Sequence, residues 1–352
     1  MELFFKKEIH EARFLDPNDE FQEKLVRFEV RTDSFTGSKA RVLAHRWRLP
    51  KGSLDSFSIS KSKEKCPFCP ERVNLSTPKF SPSITPSGRI RHGQATVLPN
   101  AFPYSQYSGV VVFSDDHHIP LNLFTPEILF NALIASTVYI KRVQEVDGSV
   151  AYTSINWNYM PPAGGGIIHP HLQIVVDKKP TNLHGKLIKA SLDYEKSRGS
   201  NYWYDLIRFE QQRAERYLFY CGKAVFLTSF CPRGMLGEVL SIFNETTSLQ
   251  DVTQDRWMCF AKGLSKILFC FHHLHVDSFN MTLFASLEKD EEFWVQARII
   301  PRVSLPPLGT SDVNYFEKGH DEVITIISPE DLAGEINAFA EQKHNKITKD
   351  GR

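Results

Sequence analysis

The sequence predicts an α+β fold made of two tandem copies of one unit, each an antiparallel sheet packed with helices. Three observations predict it. Two apolar helices carry start signals, at Thr125 and Thr253. Each is flanked by strand-like runs in the same order, two before and two after. The spacing also agrees, with 74 positions from Ala95 to His169 and 72 from Ala224 to Gln296. Such self-similarity marks an internal duplication. The copies are expected over residues 95–176 and 224–303, inside halves spanning 1–185 and 186–352.

The first copy opens with "ATVLPNAFP" and "GVVVFSDDHHIPL". Its helix follows in "TPEILFNALIASTVYIKRV", where Thr125 can cap, Pro126 fits the first turn and Glu127 suits the positive end of the dipole. "YTSINWNYM" reads as the third strand and "GGGIIHPHLQ", residues 164–173, as the fourth. That last stretch sets His169, His171 and Gln173 at alternate positions. On a strand they share one face, roughly 6.6–7 Å between same-face neighbours. Ile168, Pro170, Leu172 and Ile174 take the other face. Pro170 cannot donate to a ladder, so the strand is expected at a sheet edge or with the proline at its open margin.

The second copy runs "AVFLTSFCP", "GEVLSIFNETTSLQ", a helix, "FNMTLFA" and "FWVQARIIPR". Thr253 caps that helix, and Trp257, Phe260, Leu264 and Phe271 recur near helical spacing. A further helix starts at Ser328, with Asp331 placed as in a capping box. The copies are chemically uneven. His169-Pro170-His171 pairs with Gln296-Ala297-Arg298, and His117 with Thr247 or a neighbour. Outside the copies, the polar, lysine-rich residues 51–65 read as a mobile solvated loop.

Composition narrows the function classes. The chain has 352 residues, 41% hydrophobic and 24% charged, values normal for a soluble globular protein. A net charge of +1 calls for neither nucleic acid nor an anionic membrane. The start "MELFFKKEIHEARF" is too short in apolar residues for a signal peptide, and no run reaches the ~18 of a membrane span. A cytoplasmic protein is expected. Six cysteines in this length do not form a disulfide scaffold, and Cys259 and Cys270 read as apolar thiols of a helix.

Cys66 and Cys69, in "CPFC", have the two-residue gap of a zinc knuckle. The rival is a redox pair, which normally opens a helix after a strand. Here the motif follows a polar loop and precedes Pro70. A knuckle leaves zinc two ligands short, and His117, His118 and His169 can close a tetrahedral set. The cluster His272, His273 and His275 sits at a helix end, where the dipole favours it without a metal.

Taken together, "CPFCPERV", "LPNAFP", a histidine after "VVFSDD", and "AGGG" leading to "HPHLQ" resemble the galactose-1-phosphate uridylyltransferases. These belong to the histidine-triad superfamily and are built from two fused histidine-triad-like halves. The resemblance runs from near Ala40 to near Ala338. It implies two tandem histidine-triad-like units, the second degenerate. It implies zinc held by Cys66, Cys69, His117 and His169, with His117 chosen because it stands four residues before Leu121. His171 matches the nucleophile and Gln173 the glutamine that holds the transferred phosphoryl group. Asn158 matches a nucleotide-contacting asparagine, and Asn100 and Phe102 a nucleoside pocket. Arg46 and Arg48 match a phosphate-binding pair, and Glu317 a sugar-binding segment supplied by the partner subunit of a homodimer. The run Gly164, Gly165 and Gly166 can bring backbone N–H groups close to phosphate oxygens.

Three departures stand out. Gly166 replaces a serine that touches the phosphate in the family. Leu172 stands where the hexose enzymes have Gly or Ser, and Leu-Gln follows the second histidine in diadenosine tetraphosphate phosphorylases. The His-x-His that binds iron in some members is absent at 296–298, so no iron is expected. The implied activity is transfer of a nucleoside monophosphate, UMP in the leading version, from a nucleotide-sugar to a hexose 1-phosphate through a histidine adduct. The alternatives are a phosphorylase of ADP-sugars or dinucleoside polyphosphates, and a non-catalytic nucleotide-binding protein.

Overall fold

The computed structural model describes residues 5–44 and 56–350. In chain order its strands are β1 (Lys6–Asp16), β2 (Gln22–Thr32), β3 (Lys39–Val42), β4 (Ile90–His92), β5 (Ala95–Pro99), β6 (Tyr107–Val112), β7 (Tyr152–Tyr159), β8 (His171–Asp177), β9 (Tyr217–Cys221), β10 (Ala224–Thr228), β11 (Val239–Phe243), β12 (Ser278–Ser286), β13 (Gln296–Arg302), β14 (Ser304–Leu305), β15 (Thr310–Ser311) and β16 (Glu322–Thr325). The helices are α1 (Ser56–Lys63), α2 (Pro70–Ser76), α3 (Pro126–Val146), α4 (Asn182–Arg198), α5 (Tyr202–Arg213), α6 (Gln254–His273), α7 (Tyr315–His320) and α8 (Pro329–Asp350). None of the described helices is long and apolar enough to cross a membrane.

Local chemistry sets the helix starts where the sequence places them. Thr125 accepts from the Ile128 amide at 3.3 Å, Thr253 from Arg256 at 3.3 Å, and Ser328 from Asp331 at 3.0 Å. Each bond satisfies one of the orphan N–H groups of a first turn. Residues 56–63 depart from expectation. They form α1 rather than a loop, and the half-buried Ile59 packs it on the main core.

Ten strands make one continuous sheet, ordered β4-β5-β6-β8-β7-β12-β13-β11-β10-β9. Read inward from either end, the order is the same: β5-β6-β8-β7 on one side and β10-β11-β13-β12 on the other. The halves meet along β7 and β12, from Phe279↔Tyr159 to Ser286↔Tyr152. Helices α3 and α6 cover one face, and Leu133, Trp157, Trp257, Phe260, Phe279 and Leu283 belong to the core between them. The 185/186 division between halves falls inside α4, which leads from β8 toward the second copy.

Register corrects the pairing of the copies. The first strands start at Ala95 and Ala224 and the fourth at His171 and Gln296, and Phe113 N bonds the carbonyl of Pro170 as Phe243 N bonds that of Val295, so the ladder Thr96–Val112–His171 matches Val225–Ile242–Gln296. Gln296 therefore stands in the seat of His171 and Arg298 in that of Gln173, two residues from the alignment the sequence suggests. The spacing misled because the second copy is shorter between its first and fourth strands. The histidine strand is also not an edge strand. It begins at His171, after Pro170, and lies between β6 and β7. The proline sits at its margin, where only its carbonyl is used, accepting from Phe113 N at 3.2 Å.

A smaller sheet, β1-β2-β3-β16, is tied to the body by buried charges. Glu330 at the start of α8 takes Arg31 of β2 through both oxygens, at 3.0 and 2.7 Å, and Arg216 at 2.7 Å. Burial alone would raise the Glu330 carboxyl, but the two guanidiniums outweigh it and hold it at about 2, against an ordinary 4.5. Its stabilisation is therefore fully present above about pH 4.5 and is lost as pH falls toward 2. Glu330→Gln should cost about 3 kcal/mol at pH 7. The gap to wild type, read by denaturant melts, should close as pH falls through that window.

Gly263 in α6 marks a close helix–sheet approach. A Cβ there would lie 2.2 Å from the buried Phe226 ring of β10. Gly263→Ala gains about 1 kcal/mol of helix propensity but meets an overpacking cost of about 1–3 kcal/mol. Thermal melting should show a lower Tm.

Candidate active site and metal centre

The face of the sheet away from α3 and α6 carries the candidate site. His171 and Gln173 project there from β8, while Leu172 and Ile174 enter the main core. Leu172 therefore does not line the site, whatever residue relatives carry there. Val110, Val112 and Leu98 from β5 and β6 form an apolar seat on the same face for Cys66, Phe68 and Cys69. Phe68, inside the CPFC motif, lies edge-on to His171 with centroids 5.1 Å apart.

Cys66, Cys69, His117 and His169 present four ligand atoms within 4.8 Å of one another, the one such group found among the described residues. Cys69 Sγ is 3.4 Å from His117 Nδ1 and 3.7 Å from His169 Nδ1. A tetrahedral zinc with the usual bond lengths has sulfur–nitrogen edges of about 3.5 Å. The donor set thus fits zinc. Both imidazoles are also turned for it. His169 Nε2–H donates to the Ser114 carbonyl at 2.8 Å, so Nδ1 is the lone-pair nitrogen. Ser62 Oγ spends its proton on the Ile59 carbonyl at 2.7 Å and accepts from His117 Nε2 at 2.8 Å, which frees His117 Nδ1 in the same way. Outer partners of this kind fix the tautomer of metal-ligating histidines. His118 lies outside the cluster, 3.4 Å from the Tyr159 hydroxyl.

Cys69 does cap a helix, α2, so position alone does not exclude a redox pair. Its chemistry argues against one. Burial, with Cys66 alongside, pushes the Cys69 thiol up to about 11, whereas reactive thiols are depressed. The histidines are held neutral. Burial brings His169 down to about 4 and lowers His117. His171 is lowered too, by burial working against its hydrogen bond to His169.

That hydrogen bond joins the cluster to the candidate nucleophile. His171 Nδ1–H donates to the backbone carbonyl of His169 at 2.9 Å. The lone pair is left on Nε2. The β7–β8 ladder ends at Asn156↔Gln173, and Asn158 and His171 each lie two residues beyond that pair, on the same side of it. The glycine run acts differently from expectation. Gly164 and Gly165 spend their N–H groups on the carbonyls of Pro161 and Met160, so of the three glycines Gly166 alone has no backbone acceptor among the described residues. Gly164 has φ +80, and a Cβ on Gly165 would sit 2.8 Å from the Asn158 carbonyl. The run is built for close packing against β7. Gly166 has open space, so the family's serine would fit there.

The remaining candidates are dispersed. Asn100, just past β5, accepts from the Phe102 amide at 2.9 Å, and the Phe102 ring is 81% exposed. Arg46 and Arg48 lie outside the described residues. Glu317 lines a cavity of about 140 Å³ with Asn280, Arg302 and Asp312. Sequence reasoning missed Phe68, Ser62, Ser114 and Asn280. Only Phe68 carried a signal, its place between the two cysteines.

No protein-family profile matches the chain. An uncharacterized protein of Archaeoglobus fulgidus is 28% identical over 332 residues, 94% of this chain and 97% of that one. Among solved structures, an ADP-glucose phosphorylase from Arabidopsis thaliana with bound ADP-glucose aligns with TM-score 0.68 and 18% identity, over 88% of this chain and 98% of its own. A uridylyltransferase aligns with TM-score 0.65 and 20% identity, over 89% and 98%. Both neighbours share the α+β fold described above. By fold, the chain is similar to both of these structures.

Protein purified without chelator should carry about one zinc per chain by elemental analysis. His169→Ala should lose most of it and melt at a lower temperature, because a broken tetrahedral site surrenders binding energy that stabilises the fold.

Proposed function

We propose that the protein transfers a nucleoside monophosphate from a nucleotide-sugar to a hexose 1-phosphate through a covalent adduct on His171, with UMP the leading group. The observation that carries this reading is the orientation of His171. Its ring is neutral, its Nδ1–H is anchored on the His169 carbonyl, and its Nε2 lone pair is left to attack. Nε2 attacks the α-phosphorus and the bond to the sugar phosphate breaks, releasing sugar 1-phosphate. The phosphoimidazole then loses its P–N bond to an oxygen of the incoming phosphate. Neutral imidazole suits both steps, as a nucleophile at pH 7 and as a leaving group. Gln173 on the same face and Asn158 across the ladder supply amide donors to the phosphoryl oxygens.

Zinc, where bound by Cys66, Cys69, His117 and His169, has four protein ligands and no open position, so its contribution is structural. It fixes His169, and with it the carbonyl that orients His171.

A second reading, an ADP-sugar phosphorylase, uses the same adduct and inorganic phosphate as acceptor. The similarity to a structure with bound ADP-glucose favours it. Intact-mass analysis after incubation with UDP- or ADP-sugars and no acceptor tests both. Wild type should gain one nucleoside monophosphate, acid-labile and mapped to His171, and the base in the adduct selects the reading. His171→Ala should keep its zinc and fold yet lose turnover at least ~10³-fold, about 4 kcal/mol of barrier. Normal turnover in that variant, or the mass on another residue, would refute the mechanism.

A further inference from the structure

We propose that Asn280, Arg302 and Asp312, all from the second half, form a directional hydrogen-bond relay that sets which end of the Asn158 amide faces the nucleotide. The inference rests on the reading that His171 carries the nucleotidyl group.

The relay follows from donors and acceptors alone. Asp312, 2% exposed in its side chain, grips Arg302 through both oxygens, each at 2.7 Å, and also accepts from Val303 N at 3.2 Å. Arg302 Nη1 reaches the Asn280 side chain at 2.6 Å. Guanidinium only donates, so the Asn280 oxygen must face Arg302 and its NH2 must face away. That NH2 donates to Asn158 Oδ1 at 2.7 Å and to the Ala163 carbonyl at 2.8 Å. With its oxygen so occupied, Asn158 keeps its own NH2 unused among the described residues. It stands two residues past the last β7–β8 ladder pair, Asn156↔Gln173, as His171 does on the facing strand. A phosphoryl group on His171 is anionic and wants donors. A flipped Asn158 would offer it a carbonyl dipole instead.

Three features mark this as more than packing. The order of roles is forced in one direction, from a buried carboxylate to an amide opposite the nucleophile. The bond to Ala163 also pins the turn before Gly164, so the strand neighbour of His171 and the glycine run are held by one residue. Finally, the relay crosses the β7–β12 seam between the halves. Asn280 and Arg302 thus give the half without a nucleophile a part in the chemistry.

The test is Asn280→Asp in wild-type and Asn158→Ala backgrounds. Aspartate still accepts from Arg302, but it offers both Asn158 and the Ala163 carbonyl only oxygens, and the Asn158→Ala background subtracts the part due to Ala163. Asn158 must then turn its NH2 toward residue 280 and its carbonyl toward His171. We expect adduct formation to slow at least 30-fold in the wild-type background and at least 10-fold less than that in the Asn158→Ala background, where only the bond to Ala163 is lost. Asn280→Ala, which releases Asn158 without reversing it, should slow the adduct less than Asn280→Asp does and should show the same dependence on Asn158. A wild-type rate in Asn280→Asp, or equal losses in both backgrounds, would overturn the relay, the latter by showing a merely structural role.

Calorimetric titration with UMP and with AMP separates the relay from the function it rests on. If wild type binds a nucleotide but forms no adduct, the His171 mechanism fails, and the relay stands only if Asn280→Asp weakens binding at least 10-fold when Asn158 is present. Equal affinity overturns it. A wild type that neither binds nor reacts overturns both.

Discussion

A single backbone carbonyl, that of His169, joins the two chemistries of this molecule. The side chain of His169 closes a four-ligand cluster, and its carbonyl accepts the Nδ1 proton of His171. The residue between them is a proline, which removes one backbone degree of freedom from the link. A metal at the cluster would hold the His169 ring, the ring would hold the backbone, and the backbone would choose which nitrogen of His171 carries the lone pair. Phe68 covers the ring from the side and belongs to the same CPFC segment. On the proposed function, the knuckle would thus serve as a scaffold for a tautomer.

Packing differs between the halves at the place where the first carries the candidate site. Leu98, Val110 and Val112 seat the CPFC segment, and by register their counterparts are Leu227, Leu240 and Ile242. Those residues are covered instead by Leu187, Trp203 and Leu206 of α4 and α5. The second copy has filled its cleft with apolar helices. Gln296, in the seat of His171, is fully buried, and neither of its amide atoms is hydrogen-bonded among the described residues. Arg298, in the seat of Gln173, is turned to an ion pair with Glu238 at 2.6 Å. What the second half contributes instead lies on the seam, through Asn280 and Arg302.

Local signals were legible in the sequence, and long-range ones were legible only where a motif bound them together. Caps at Thr125, Thr253 and Ser328 depend on contacts three residues long, so the sequence shows them directly. The order of strands and helices in both copies was also readable. The Cys66, Cys69, His117 and His169 grouping drew on the resemblance to a family, since spacing alone left His118 open. Edge against interior position for the histidine strand could not be read, because Pro170 satisfies both when it stands one residue before the first ladder pair. The two-residue slip between copies arose because sequence spacing counts loops, while register counts only rungs. Asn280 carried no signal at all. Its role depends on Asn158, Arg302 and Asp312, which are brought together only by the sheet and the short hairpin after β13.

The central claim is that the cluster orients the nucleophile through the His169 carbonyl. It is tested most directly by measuring the rate of adduct formation on His171 before chelation, after chelation under reducing conditions, and after zinc is returned, with circular dichroism confirming the fold throughout. The account predicts that the folded, metal-free protein labels at least 10-fold more slowly and recovers its rate with one equivalent of zinc. Labelling at an unchanged rate in folded protein shown to contain no metal would contradict it.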